Sequence, residues 1–253
     1  MPDLMNILLA CIFLPLFPLS MVFNAIFDKA KYAWLRALII IAWPLAGLLI
    51  VLNSNLVIPQ WVMYLALSTS LLYSLRLLTL REVNQWSGFL ATSLWSLLWI
   101  PLIQLGSADL IVLFAIGMSM PLVALVLLSA FLEKRFGAAY TDLYGGLART
   151  IPRFTAILIT VVMAAVATPF FPTFFIIFDM VVETVTVMPQ VAIALLLIWL
   201  LWSWAGARLV QGLIVGRGSK VKVADFNIPT IGFFSIALLA LALSGVYMGM
   251  VIL

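Results

Sequence analysis

The sequence predicts an all-α polytopic membrane protein of about eight transmembrane helices, the sixth of them discontinuous. Three observations carry this. The 253 residues are 66% hydrophobic and only 9% charged, with a mean hydropathy of +1.27, and a water-soluble domain cannot hide so much apolar surface. The apolar runs are continuous, whereas a β-barrel wall needs polar and apolar residues to alternate. Helices are the remaining solution, because each satisfies its own backbone hydrogen bonds in lipid. Finally, the thirteen Lys and Arg residues collect in four places, as they do where the loops on one side of a membrane retain positive charge.

In chain order, the continuous spans are 4–27, 33–52, 59–80, 86–105, 109–133, 190–213 and 229–252, each near the ~20 residues needed to cross hydrocarbon. The first is preceded by Asp3 and no basic residue, the reverse of a secretory leader. Its Leu-Leu-Ala-Cys at 8–11 lacks the length and positive flank of a lipoprotein box. Pro15, Pro44, Pro101 and Pro121 fall inside spans, where proline is commoner than in soluble helices. The segment 152–188 is long enough for two short crossings or one broken one, and the basic residues arbitrate. They are Lys29, Lys31 and Arg36; Arg76 and Arg81; Lys134, Arg135, Arg149 and Arg153; and Arg208, Arg217, Lys220 and Lys222. The connections 53–58, 105–109 and 183–190 contain none. Two crossings would place the last cluster opposite the other three. One crossing places all thirteen on the cytoplasmic side and both termini outside. Pro169 and Pro172 supply the break, since each lacks an N–H and clashes with a carbonyl one turn back.

Much chemistry is excluded. There is no histidine and a single cysteine, Cys11. No internal disulfide, zinc, haem or iron–sulfur site is expected. No Ser-His or Cys-His catalytic pair can form within the chain, so neither enzyme activity nor a cofactor is expected. The net charge of +4 is no nucleic-acid signal, because the basic residues lie in or beside loops. Gly145-Gly146 lacks the spacing of a phosphate cradle.

Two carboxylates stand out. Asp179 lies near mid-membrane after the break, and Glu183 one turn further on the same face. An ionised carboxylate there costs ~2.5–3.5 kcal/mol on insertion scales, which makes the pair ion- or proton-path candidates. The alternative is that Asp179 hydrogen-bonds a helix or a partner subunit and never titrates. The other spans have no titratable group near their centres, and Arg76, Asp109 and Arg208 sit near ends and can snorkel. Gly212/Gly216 and Gly245/Gly249 have the spacing that permits close helix approach. Trp199, Trp202 and Trp204 read as an interfacial belt.

From FLEKRFG (131–137) through YGGLARTIP (144–152) to WAGARLVQGLIVG (204–216), the chain resembles the antiporter-like membrane subunits of respiratory complex I and of Mrp-type cation/proton antiporters. Arg135 matches the end of the family's helix, Gly145, Gly146 and Leu147 its loop, and Pro152 the start of a discontinuous helix. Pro169, followed by Phe174 and Phe175, matches that helix's centre. The resemblance implies two N-terminal helices (1–58) followed by one antiporter-like repeat and a final helix (59–252). It also exposes departures. The family's proton-holding Lys or Glu falls on Ile177, a second acid on Asp179, and a common histidine near Met118. A shortened, proton-path-deficient accessory subunit is thus implied, in a bacterial inner membrane, beside a full-length antiporter-like subunit and possibly a large cytosolic one. Candidate settings are an inorganic-carbon uptake complex with a cytosolic zinc subunit, a complex I or hydrogenase-type complex, and an Mrp-type antiporter. An active carrier using Asp179 and Glu183 is the alternative, and a membrane-embedded enzyme a remote one. Membrane lipid is the expected contact of the basic loop 134–153.

Overall fold

The computed structural model describes residues 2–54, 58–104, 106–141, 146–216 and 223–252, with side chains from Met5 onward. Gly145, Arg217, Lys220 and Lys222 lie outside the described residues. The described residues form α-helices and no strand; the sole extended pairing is one antiparallel bridge between Glu82 and Tyr140. The helices are α1 (Pro2–Phe13), α2 (Ser20–Lys29), α3 (Ala33–Asn53), α4 (Trp61–Leu77), α5 (Val83–Ser96), α6 (Trp99–Ile103), α7 (Ala108–Phe136), α8 (Leu147–Thr150), α9 (Pro152–Ala165), α10 (Pro172–Val185), α11 (Pro189–Ile214) and α12 (Ile228–Ile252).

Five segments are long and apolar enough to cross a membrane: α3, α5 with α6 (Val83–Ile103), α7, α11 and α12. The longest, α7, has signals at both ends. Ser107 accepts a hydrogen bond from the Leu110 N–H, Asp109 lies in the first turn, and Lys134 and Arg135 lie in the last. Gly137 then ends the helix at φ 82°. Pro121 is carried within α7 and Pro44 within α3 without a break. Pro101 loosens the turn between α5 and α6, where the Leu97, Leu98 and Ile100 N–H groups bond three residues back.

The segment 152–188 runs through the bundle in a single direction. Its halves α9 and α10 pack on the same three neighbours, α7, α11 and α12. Phe154 stacks on Phe131 near one end of α7, while Pro172 and Ile176 sit against Gly117. Those two points on α7 are about 21 Å apart at helical rise. Along α11, Gly206 meets Val162 and Val166, and Trp199 meets Ala167 and Phe174. Both halves therefore advance in one direction, antiparallel to α7 and α11.

The basic connections gather at one end, as the charges predict. Arg36 pairs with Glu133, Glu82 bridges Tyr140, Arg135 donates to the Ala224 carbonyl, and the Arg153 and Phe154 N–H groups donate to Asp225.

The first span needs correction. It is not one helix over 4–27 but two, α1 and α2, separated by residues 14–19. Pro15 and Pro18 stand three residues apart, the same spacing as Pro169 and Pro172. The freed backbone groups find internal partners, as burial in lipid demands. The Trp43 indole donates to the Ile12 carbonyl, the Trp99 indole to the Leu14 carbonyl, and the Phe17 N–H to Thr69, each at 3.0 Å.

Candidate functional site

The break in the sixth span runs from Ala165 to Pro172, with Pro169 inside it and Pro172 opening α10. Ala167 (φ 60°) and Phe170 (φ 79°) are non-glycine residues in the left-handed region, a conformation that persists only where neighbours enforce it. The enforcement is visible. The Trp199 indole donates to the Ala167 carbonyl at 3.0 Å, and the Thr168 N–H and hydroxyl both donate to the Met163 carbonyl. Gly245 of α12 lies so close that a Cβ there would sit 2.2 Å from the Phe170 carbonyl oxygen.

Asp179 and Glu183 do not point at this break. The inner face of α10 is Thr173, Ile176, Ile177, Met180 and Thr184, all buried. Asp179 is half-buried on the flank and Glu183 is exposed. Among the described residues neither has a hydrogen-bond or ion-pair partner. Ile177 and Met118, where the resemblance places proton-holding residues, are fully buried. Those two positions are thus apolar, the inner face of α10 carries no charge, and the acids face outward.

The interior polar groups lie elsewhere, and sequence reasoning missed them. A seam of neutral side chains joins α2, α4, α5 and α11. Asn24 donates to the Ser20 carbonyl (3.1 Å), Tyr73 Oη (3.3 Å) and Thr92 Oγ1 (3.1 Å), and Ser20 Oγ lies 2.9 Å from Tyr73 Oη. Ser93 Oγ lies 2.9 Å from Ser70 Oγ and 3.0 Å from Ser74 Oγ, and accepts from the Trp202 indole at 2.8 Å. Trp95 donates to Ser119 Oγ at 3.1 Å. Trp202 is therefore internal, not part of an interfacial belt; Trp199 serves the break, and of the three only Trp204 is exposed. The available signal was the hydroxyl density of Ser68–Ser74 and Ser87–Ser96.

Two cavities reach this seam from the basic end. One, about 300 Å³, is lined by Asn24, Asp28, Arg36, Arg76, Asn84 and Gln85 among others. The other, about 420 Å³, shares Asn24, Arg76 and Phe89 and extends to Tyr73 and Phe17 at the first break. Two residues lining the first cavity, Arg36 and Asn84, both donate to Glu133, Arg36 at 3.3 Å. Nearby, burial and then the charge of Asp28 push the Glu82 carboxyl above its ordinary range, against a lowering bond from Tyr140. Among the described residues, no group of three or more His, Cys, Asp and Glu is placed to hold a metal ion.

The motif loop is partly organised. Gly146 adopts φ 80° before the buried Leu147. Pro152 opens α9, whose first free N–H groups are capped by Asp225 at 2.9 and 3.1 Å. Asp225 is a capping residue that the sequence reading missed.

No protein-family model matches the chain, and no curated protein matches it. Solved structures do. The Mrp complex of Dietzia sp. DQ12-45-1b aligns at TM-score 0.70 and 15% identity over 83% of this chain. Respiratory complex I of Thermus thermophilus aligns at 0.75 and 19% over 95%. The archaeal membrane-bound sulfane sulfur reductase aligns at 0.78 and 12% over 96%. The fold is that of the antiporter-like membrane subunits. At these identities the fold is what is shared. The chain spans about half the length of the structures it matches, 41%, 53% and 52% of them. It is an integral membrane chain with five helical segments long and apolar enough to cross a bilayer.

Proposed function

We propose that this chain is an accessory, non-conducting antiporter-like subunit of a proton- or cation-coupled membrane complex, seated beside a full-length homologue that carries the ion path. One observation carries the reading: among the described residues, the fully buried polar side chains are all neutral. The seam is Ser, Thr, Asn, Tyr and Trp, and the family's titratable positions are filled by Ile177 and Met118. Neutral hydroxyls satisfy one another's hydrogen bonds but hold no proton charge in transit, whereas conducting bundles thread ionisable groups through their middle. The chain makes eight crossings of a bacterial inner membrane, with the basic end cytoplasmic and both termini outside. It performs no catalysis itself. The same candidate settings apply as for the sequence: inorganic-carbon uptake with a cytosolic zinc subunit, a complex I or hydrogenase-type assembly, or an Mrp-type antiporter.

The test compares deletion of the chain with Asp179→Asn/Glu183→Gln in the assembled complex, reading ion-coupled transport in vesicles. An accessory subunit loses transport on deletion and keeps it in the double variant. Abolished transport with assembly intact in the double variant would instead establish the rival reading, an active carrier using Asp179 and Glu183.

A further inference from the structure

We propose that the cleft between α7 and α12 holds one acyl chain of an anionic phospholipid, with its phosphate set against Lys134 and Arg135. The two helices approach at both ends and part between. At the basic end Phe226, leading into α12, packs edge-on against Phe131 with centroids 4.5 Å apart, and stacks on Phe234. At the other end Met248 lies against Gly117. Between these points opens a cavity of about 480 Å³, lined by Met120, Val123 and Leu127 on one side and Phe233, Leu238 and Leu241 on the other. Ser244, the one polar side chain lining it, spends its hydroxyl on the Leu241 carbonyl at 2.8 Å. The cleft therefore offers no hydrogen bond and takes an apolar occupant. A second helix, ~10–12 Å across with its side chains, does not enter a gap closed at both ends. A single hydrocarbon chain does.

The α7 face that lines the cleft leads on to the headgroup site. Met120, Val123 and Leu127 line the cleft, and the same helix face continues past the closing contact at Phe131 to Lys134 and Arg135. From Met120 to Arg135 is about 22 Å along the axis, close to an extended acyl chain with its glycerol. Lys134 and Arg135 are exposed. Arg135 lies over the Phe131 ring at 5.0 Å and uses one nitrogen on the Ala224 carbonyl, leaving further N–H groups free for phosphate. The nearby acids do not compete: Glu133 is turned to Arg36 and Asn84, and Asp225 caps α9. Arg153, bonded to the Phe226 carbonyl, adds positive charge at the same end.

The test is native mass spectrometry of the purified chain in mixed micelles containing phosphatidylglycerol or phosphatidylcholine of the same chains. The expected result is one retained phosphatidylglycerol, preferred roughly five- to tenfold. Lys134→Gln/Arg135→Gln removes the preference but keeps lipid. Ala240→Trp fills the cleft and loses both lipids, while Gly232→Ala, which meets nothing within 4 Å, leaves retention unchanged. Equal retention of the two lipids by the native chain, or undiminished retention by Ala240→Trp, overturns the proposal. A photoreactive residue in place of Met120, used in native membranes, adds a second readout: a phospholipid adduct supports it, and a protein adduct overturns it.

Discussion

Gly245→Ala should be far more damaging than its chemistry suggests. A Cβ at Gly245 would lie 2.2 Å from the Phe170 carbonyl oxygen, 2.7 Å from the Phe171 carbonyl carbon and 2.8 Å from the Pro172 nitrogen. All three are backbone atoms, and they belong to a segment already held at φ 79°. Nothing there can rotate away. Overpacking costs typically ~1–3 kcal/mol, and a backbone obstacle places this case at the top of that range. Ala gains up to ~1 kcal/mol over Gly in a helix, so the net loss is about 2 kcal/mol, some thirtyfold in the unfolding equilibrium. At Gly249 the atoms nearest an added Cβ belong to the Phe175 ring, at 2.5 Å, which can turn, so about 1 kcal/mol is expected from Gly249→Ala. Gly232→Ala has open space and should be neutral or slightly stabilising. Reversible unfolding in mixed micelles ranks the three. If Gly245→Ala is as stable as Gly232→Ala, α12 does not clamp the break and the argument fails.

Two further outcomes follow from the basic end. Glu82 binds its proton more tightly folded than unfolded, because burial and Asp28 disfavour its charge. Stability should therefore fall as pH rises from the ordinary glutamate range through the raised one. Glu82→Gln should flatten that slope in a melting series across pH, and an unchanged slope would remove Glu82 as its source. Asp225→Ala uncaps α9 and should cost ~0.5–2 kcal/mol, with faster amide exchange at Arg153 and Phe154; unaltered exchange there would count against the cap.

The glycine pairs show how spacing and context differ. Gly245/Gly249 is a contact pair, against the break and Phe175. Gly212/Gly216 is not, since α11 ends at Ile214 and Gly216 lies beyond it at φ 141°. Identical spacing therefore does not make both pairs helix contacts. Likewise, Pro15-x-x-Pro18 carries the same message as Pro169-x-x-Pro172. It was masked because 4–27 is the length of one span, so no topological conflict called attention to the prolines.

The sequence by itself determined the membrane class, the break within 152–188, and the shared end of the described basic connections. Those properties are local, since transfer cost, proline geometry and loop charge act residue by residue whatever the neighbours do. Only the tertiary structure decided which way the polar side chains face. In a bundle whose helices are apolar nearly all round, periodicity does not mark the buried face. It could not show that Asp179 lies on an outer flank while Ser93 and Trp202 meet inside. The Ser93–Trp202 pairing joins residues 109 positions apart, and packing alone selects it.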